Sequence, residues 1–598
     1  MGQKCILAAF AAWLGAWGVG VSAGAEVPRP NVVLIVTDDQ GYGDLGAHGN
    51  PVLKTPALDR LYAESLRMTR FHVDPTGAPT RAALMTGRYS SRTGVWHAMT
   101  GRSLLRAGET TVADVFRAAG YRTGIFGKWH LGDNFPYRAM DRGFDESLVH
   151  GGGGIGHTPD YWGNRYFDPV LCHNGTWRKC QGYCTDVFFS AAIRFIEAER
   201  ERPFFAYIAA NVPSAPFQVA PRYAEPYLAA GVPRELALYY GMIANFDENL
   251  ARLMGRLEQL GLNDDTVTVF LTDNGTSGRA FGVTMRGAKG SPYDGGHRVP
   301  CFIRYPRRLK DGRDIPQIAA HIDLFPTLLD LCGVRYPKEV QFDGTSLVPL
   351  LVGVEDWFRR TLFVQAHGAG PPQPWRHSAV MTDQYRLVNG SELFDIVDDP
   401  GQLINIAPGN REVRDQLRFE YEEWYKDVSK QFDEMCHIAM GAPPQDPTTL
   451  TCHDWHGPLV PWHQGHIAQR AVANGFWAIE VVRPGRYRIT LRERPAAAKF
   501  VLPAASARVQ VGERIATVRV PPGSVSVPVE LDLPAGKTRL QTWLFEPDGT
   551  QRGAYFVDVA YLGAPPESPG APKPAPQAPP ADAEGPKRRP SPPRSAYN

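Results

Sequence analysis

Two pairs of polar residues close apolar runs in this sequence. Asp38 and Asp39 follow NVVLIV (31–36) after a single Thr37, and Asp273 and Asn274 follow TVTVFLT (266–272). Three carboxylates and one amide oxygen are hard ligands, suited to Ca²⁺ or Mg²⁺ rather than to a soft metal. Brought together without a cation, three carboxylates would repel and resist ionising. Each Asp could instead cap a loop or a helix start. Two such strand endings in one chain favour the metal site. A third stretch, DPTGAPTRAALMTGR (74–88), has the pattern of a turn feeding a short helix. Pro79 suits the first helical turn, Arg81 follows it, and Gly87 supplies the stop. Covalent chemistry at such a turn needs a reactive side chain, and Gly77 has none.

For the acidic residues to converge, their two strands must be neighbours, with ligands beyond the carboxyl ends of the sheet. The surrounding sequence supports that. NVVLIV, YRTGIFG, FFAYIAA and TVTVFLT read as buried strands. TVADVFRAAG (111–120) and Leu236 to Leu260 carry helical periodicity between them. Thr55 and Pro56 predict a helix reaching about Met68. The alternation predicts an α/β domain over 29–430, a mixed sheet flanked by helices. A linker is expected over 431–447. From 448 to 562 apolar and polar residues alternate between Pro/Gly turns, predicting a small C-terminal antiparallel β domain. Residues 563–598 form a tail rich in Pro, Ala and charge, a composition that cannot bury a core.

The formal net charge of +2 on 598 residues gives no basis for general nucleic-acid binding. Residues 1–25 resemble an export signal: Lys4, an apolar stretch, then Ala23-Gly24-Ala25 as a cleavage site. A secreted or periplasmic protein is expected. No other segment offers the ~20 apolar residues that span a bilayer, so none is expected after cleavage. Of eight cysteines, seven would remain: Cys172, Cys180, Cys184, Cys301, Cys332, Cys436 and Cys452. An oxidising compartment would allow disulfides, and seven is odd. Cys172, His173, Cys180 and Cys184 match no common zinc spacing, so a local disulfide or buried thiols are expected there.

Several long motifs resemble the sulfatase family, within the alkaline phosphatase superfamily. They are PNVVLIVTDDQGYGDLGAHGN, GIFGKWHLGD, LTDNG, RGAKGSPYDGGHRVP, HIDLFPTLLDLCGV and SELFDIVDDPGQLINIA. They occur in the family's order over about 29–430. The resemblance implies a sulfatase-type sheet and one divalent metal, usually Ca²⁺, on Asp38, Asp39, Asp273 and Asn274. It implies that Arg81 orients the nucleophile and balances charge near the metal. Lys128 and Lys289 would contact sulfate oxygens, Lys289 close to the leaving oxygen. His130 would hydrogen-bond the nucleophile. The implied ligand is an aryl or carbohydrate sulfate, a sulfated small molecule or glycan.

Two positions depart from the family. The Cys or Ser that becomes formylglycine is replaced by Gly77, in Gly77-Ala78-Pro79-Thr80-Arg81, so formylglycine cannot form. NVPSAPFQVAP (211–221) carries Ser214 where the family has a histidine. Proton transfer by a positioned group is worth ~10²–10⁴-fold in rate. The expectation is therefore a sulfatase-like protein with impaired catalysis. The alternative is an active hydrolase using Thr76, Thr80 or metal-bound water as an atypical nucleophile. Specificity would come from loops such as HGGGGIGHTPDYWGNRYF (150–167), where His157 is a substrate contact or a loop histidine.

Overall fold

The runs Asn31–Thr37, Phe204–Ala209 and Thr266–Thr272 are buried at every position. Continuous apolar strands of this kind need cover on both faces. In the computed structural model, which describes residues 29–277, 281–310, 312–354 and 356–564, they form the centre of a ten-stranded sheet. Asn31–Thr37 lies between the other two and is parallel to both. Arg122–Gly127 and Glu146–Val149 extend the parallel set. Antiparallel Cys301–Arg304 flanks one side and Val170–His173 the other, so the sheet is mixed. Segment 1–25 and the tail beyond 564 lie outside the described residues.

Strand alternation divides the core in two. Val32, Leu34 and Val36 pack with the helices Gly77–Thr86, Val112–Ala118 and Leu324–Cys332. Val33 and Ile35 face the helices Cys184–Glu199 and Arg234–Gln259. Val112–Ala118 starts on a capping box: the Thr111 hydroxyl accepts from the Asp114 backbone N–H, and the Asp114 carboxylate accepts from that of Thr111.

Two boundaries differ from expectation. The helix at Pro56 ends at Glu64, and Leu66–Met68 is a strand antiparallel to Cys301–Arg304. The alternating burial of Leu66, Arg67 and Met68 fits a strand edge, and pairing with a segment over 200 residues away overrides the local helical pattern. The expected linker 431–447 also contains a strand, Ile438–Met440, paired in parallel with Phe476–Val481. Three residues beside Pro443, Pro444 and Pro447 are too short a signal to read in sequence.

The C-terminal domain stacks a six-stranded sheet on a four-stranded one. Trp455, Trp477, Tyr487, Ile489, Val509, Leu544 and Val557 fill the space between. It packs onto the α/β domain through Leu104 and Tyr137, which share that core. Asn134 donates from Nδ2 to the Thr449 carbonyl (3.1 Å), and Tyr137 donates from its hydroxyl to the His437 carbonyl (2.8 Å).

His456, stacked on Phe476 at 5.2 Å, lies at this junction. Burial first, then Arg102 and Arg539, lowers its pKa from 6.5 to about 4. Between those values the unfolded chain binds more protons, so stability rises with pH across the window. The contribution is complete above pH 6.5 and lost as pH falls towards 4. It is worth at most about 3 kcal/mol. His456→Phe should therefore reduce the loss of urea resistance between pH 7 and 4.5. An unchanged loss would contradict this assignment.

The seven cysteines outside the signal-like segment are free thiols in the described residues. Cys184 is buried, its Sγ 3.5 Å from Asn211 Oδ1. Burial pushes its thiol pKa up to about 12, so it is protonated and a poor metal ligand.

Candidate functional site

Register brings the acidic residues together. Thr37 pairs with Thr272, so the two parallel strands end level with each other. The residues that follow both strands emerge on one edge. One carboxylate oxygen each from Asp38, Asp39 and Asp273 lies within 4.8 Å of the others. All three residues and Asn274 are buried. Asp39 takes a left-handed conformation, φ 67°, which Asp tolerates better than most side chains. Its backbone N–H donates to Asp273 Oδ1 at 3.1 Å.

Each carboxylate has its own cation. Lys128 Nζ donates to both oxygens of Asp38, at 2.9 and 2.8 Å. Arg81 Nη2 donates to Asp273 Oδ2 at 2.9 Å, with both side chains fully buried. Lys289 Nζ donates to Asp39 Oδ1. Burial alone would raise the pKa of Asp38, but Lys128, Arg81 and Lys289 outweigh it and hold the carboxyl well below its usual range. For Asp273, burial and then the neighbouring Asp38 carry the pKa upward. Burial opposes the charge on Lys289, yet Asp39, Asp38 and Asp273 together raise its pKa.

The donor set fits a divalent cation. Asn274 spends its Nδ2 on Asp39 Oδ1 and the Gly275 carbonyl, both at 2.9 Å. Its Oδ1 is buried without a hydrogen-bond partner. An orphaned amide oxygen beside three carboxylates is hard-ligand chemistry.

Gly77 opens the helix Gly77–Thr86 directly over this cluster. A Cβ there would lie 2.5 Å from Asp273 Oδ2 and 3.7 Å from Asn274 Oδ1. The helical backbone does not demand glycine at this position. A side chain at 77 would point into the acidic cluster, where Asp273, paired with Arg81, now occupies the space. Thr76 precedes it as the helix cap, but its side chain makes no capping bond. Thr80 donates to the Asp74 carbonyl at 3.0 Å and is committed there.

Ser214 donates from Oγ to Asp39 Oδ2 at 2.8 Å. His130 stands apart from the acidic group. It is left-handed, φ 61°, with Nε2 3.0 Å from the Ala98 carbonyl. Its Nδ1 is buried and unpartnered. Burial, then Lys128, His157 and His453, holds the ring neutral. His157 packs among the rings of His130, His453, Trp462 and His463, 5.0–6.5 Å between centroids. Three of these belong to the C-terminal domain, which carries no readable site motif.

Other neighbours also escaped the sequence. The Tyr239 hydroxyl lies 2.6 Å from Asp44 Oδ2 and 3.0 Å from the Asp39 carbonyl oxygen, with one proton to share between them. Arg81 Nη1 donates to the Tyr207 hydroxyl at 3.3 Å. These tyrosines sit mid-helix and mid-strand, where periodicity reads them as core. A second group, His72, Asp294 and His297, has ligand atoms equally close. Arg386 donates to Asp294 at 3.0 Å and lies 3.1 Å from His72, so a fixed cation already holds that group.

A family model described as Sulfatase matches residues 30–334, just over half of the chain, and one described as N-sulphoglucosamine sulphohydrolase, C-terminal, matches 289–427. The chain belongs to the sulfatase family. Arylsulfatase G of Mus musculus is 31% identical over 400 residues, covering 58% of this chain and 74% of that protein. Arylsulfatase A of Homo sapiens is 31% identical over 430 residues, covering 64% and 80%. N-acetylgalactosamine-6-sulfatase of Canis lupus familiaris is 30% identical over 386 residues, covering 59% and 70%. Among solved structures, Ps i-CgsB superposes with a TM-score of 0.63 at 28% identity, over 68% of this chain and 95% of that one. It has also been crystallised in complex with k-i-k-neocarrahexaose, a structure that superposes with a TM-score of 0.62. This superposition agrees with the sulfatase-type mixed sheet and flanking helices described above.

Proposed function

We propose that this sulfatase-family protein binds sulfated small molecules or glycans at a divalent-cation site and is catalytically impaired. One observation carries the reading. The Cβ direction of Gly77 opens onto the carboxylate cluster, 2.5 Å from Asp273 Oδ2, and no hydroxyl or thiol stands there. The site keeps the means of holding an anion and lacks the atom that would attack it.

The proposed ligands for Ca²⁺ or Mg²⁺ are Asp38, Asp39, Asp273 and Asn274. A bound cation would supply the positive charge that the carboxylates now draw from Lys128, Arg81 and Lys289. Lys128 and Lys289 could then turn their ammonium groups to sulfate oxygens, while Arg81 remains buried beside Asp273. His130, neutral and with a free Nδ1, is available to accept a hydrogen bond from the ligand. Ser214 holds Asp39 in place through its hydroxyl and cannot readily move a proton near neutral pH. Export, from the signal-like segment, would bring the protein to extracellular sulfated polymers.

Calorimetry tests this reading. Affinity for a monosulfated tetrasaccharide should rise at least about tenfold on adding Ca²⁺. Asn274→Ala should weaken Ca²⁺ binding by about tenfold or more, because an orphan oxygen is removed. Equal affinity with and without Ca²⁺ would overturn the coupling. The second reading is turnover through Thr76, one residue before Gly77 and free of a capping bond.

A further inference from the structure

The junction between the two domains encloses a cavity of about 430 Å³, within the range of small-ligand pockets. Tyr161, Trp162 and Trp177 line it from the α/β domain and Phe556 from the β domain. Tyr161 and Trp177 form a tilted pair, ring centroids 5.9 Å apart. They remain 38% and 39% exposed, so part of each ring is open to a ligand. Partly exposed rings of this kind suit the flat C–H faces of a sugar ring, being apolar in the middle and wet at the edge.

The polar lining also asks for hydroxyl groups. Thr451 Oγ1 and His150 Nε2 are buried without partners, and both residues line the cavity. His150 Nδ1 lies 3.0 Å from the Gly151 carbonyl, which places the proton on Nδ1 and leaves Nε2 an acceptor. A donor-acceptor hydroxyl and a ring acceptor match a polyol. The wall offers no free cation to hold a second sulfate. Asp133 and Asp160 are in the wall, and its one guanidinium, Arg138, is held by both oxygens of Asp141 at 2.7 and 2.8 Å. Burial pushes Asp133 up to about 6 and Asp160 up to about 7, so the wall is at most weakly acidic and offers an anion no free cation.

Position links the cavity to the acidic cluster. Strands Arg122–Gly127 and Glu146–Val149 are parallel, with Gly127 opposite Val149. Lys128 and His150 therefore leave the sheet side by side. The wall of the cavity begins one strand along the edge that carries Lys128.

We propose that this junction cavity is a subsite for an uncharged sugar unit of a sulfated glycan, whose sulfated unit reaches the cluster at Asp38. The proposal rests on the sulfated-ligand reading above. It also gives the C-terminal domain a role, because Thr451 and Phe556 come from it.

Calorimetry on the full chain with Ca²⁺ tests it. The probes are two neutral tetrasaccharides, neoagarotetraose and di-N-acetyllactosamine, their monosulfated counterparts, and inorganic sulfate. At least one neutral probe should bind. Trp177→Ala, and independently Tyr161→Ala, should weaken that probe and its sulfated form about tenfold and leave inorganic sulfate unchanged. Lys289→Ala should do the reverse, weakening sulfated probes and sulfate alone. Both aromatic residues are on the surface, so their variants should fold. If sulfated probes lose affinity in Lys289→Ala but not in the aromatic variants, the subsite is overturned while the sulfated-ligand reading survives. If only neutral probes bind, and the aromatic variants abolish that, the subsite survives and the sulfated-ligand reading falls. If no tetrasaccharide binds, both fall.

Discussion

Gly77→Cys combined with Ser214→His, produced alongside a formylglycine-generating enzyme, is expected to hydrolyse an aryl sulfate where the unaltered chain shows no turnover. The helix over 77–86 and Arg81 beside Asp273 are in place, and the missing pieces are two side chains, at positions 77 and 214. A Cβ at position 77 would approach Asp273 Oδ2 at 2.5 Å, a contact that requires this carboxylate to turn. Asp273 is buried and held by Arg81 and the Asp39 N–H, so turning it has a cost, which a cation on the cluster would offset by giving the carboxylate a new partner. Gly77→Cys alone should therefore give weak activity. Adding Ser214→His should raise it by about 10²–10⁴-fold, the usual worth of a positioned proton donor. Ser214→His also removes the hydroxyl from Asp39, so Ser214→His alone should only weaken cation binding. Turnover by the unaltered protein, abolished by Thr76→Val or Thr80→Val, would sink the impaired-catalysis reading. Failure of the double variant despite confirmed formylglycine would show that the pocket has lost more than two side chains.

The second large effect concerns stability. Arg81 and Asp273 are both fully buried and paired at 2.9 Å. Removing one partner of such a pair leaves an uncompensated charge and costs about 3–5 kcal/mol. Arg81→Met should lower stability in urea by that amount when measured with a chelator present. Asp273→Asn in the same chain should recover most of the loss, because the stranded carboxylate is gone. Ca²⁺ should also rescue the single variant, by about 2.7 kcal/mol at a hundredfold excess over Kd. A double variant no more stable than Arg81→Met would refute the argument from unpaired charge. The same experiment separates this pair from Arg92–Asp343, whose side chains keep 17% and 19% of their exposure and which should matter less.

The pairing of three cations with three carboxylates bears on the site as a whole. A cluster whose charges cancel internally can stay folded without a metal. Under the proposed reading, a cation would compete with Lys128 and Lys289 for the carboxylates, and that exchange would free the lysines for an anion. Metal and sulfate affinity are thus expected to be linked, each raising the other by the same factor.

Much of this protein is written locally. Buried runs such as NVVLIV and TVTVFLT specify strands because every position is apolar, and the acids that follow them mark their ends. The absence at Gly77 is equally local: a residue without a side chain cannot act through one. The length and order of the motifs are enough to indicate the family. What the sequence could not decide depends on register and on contacts between distant segments. Leu66–Met68 became a strand through pairing with Cys301–Arg304, and Ile438–Met440 through pairing with Phe476–Val481. Ser214 reached Asp39 from 175 residues away, and His157 met three rings of the C-terminal domain. The Trp177 cavity exists only because that domain closes it. Composition and periodicity describe each segment's own preferences. Which side chain faces which carboxylate is set by how the strands align, and that is decided only when the whole chain has folded.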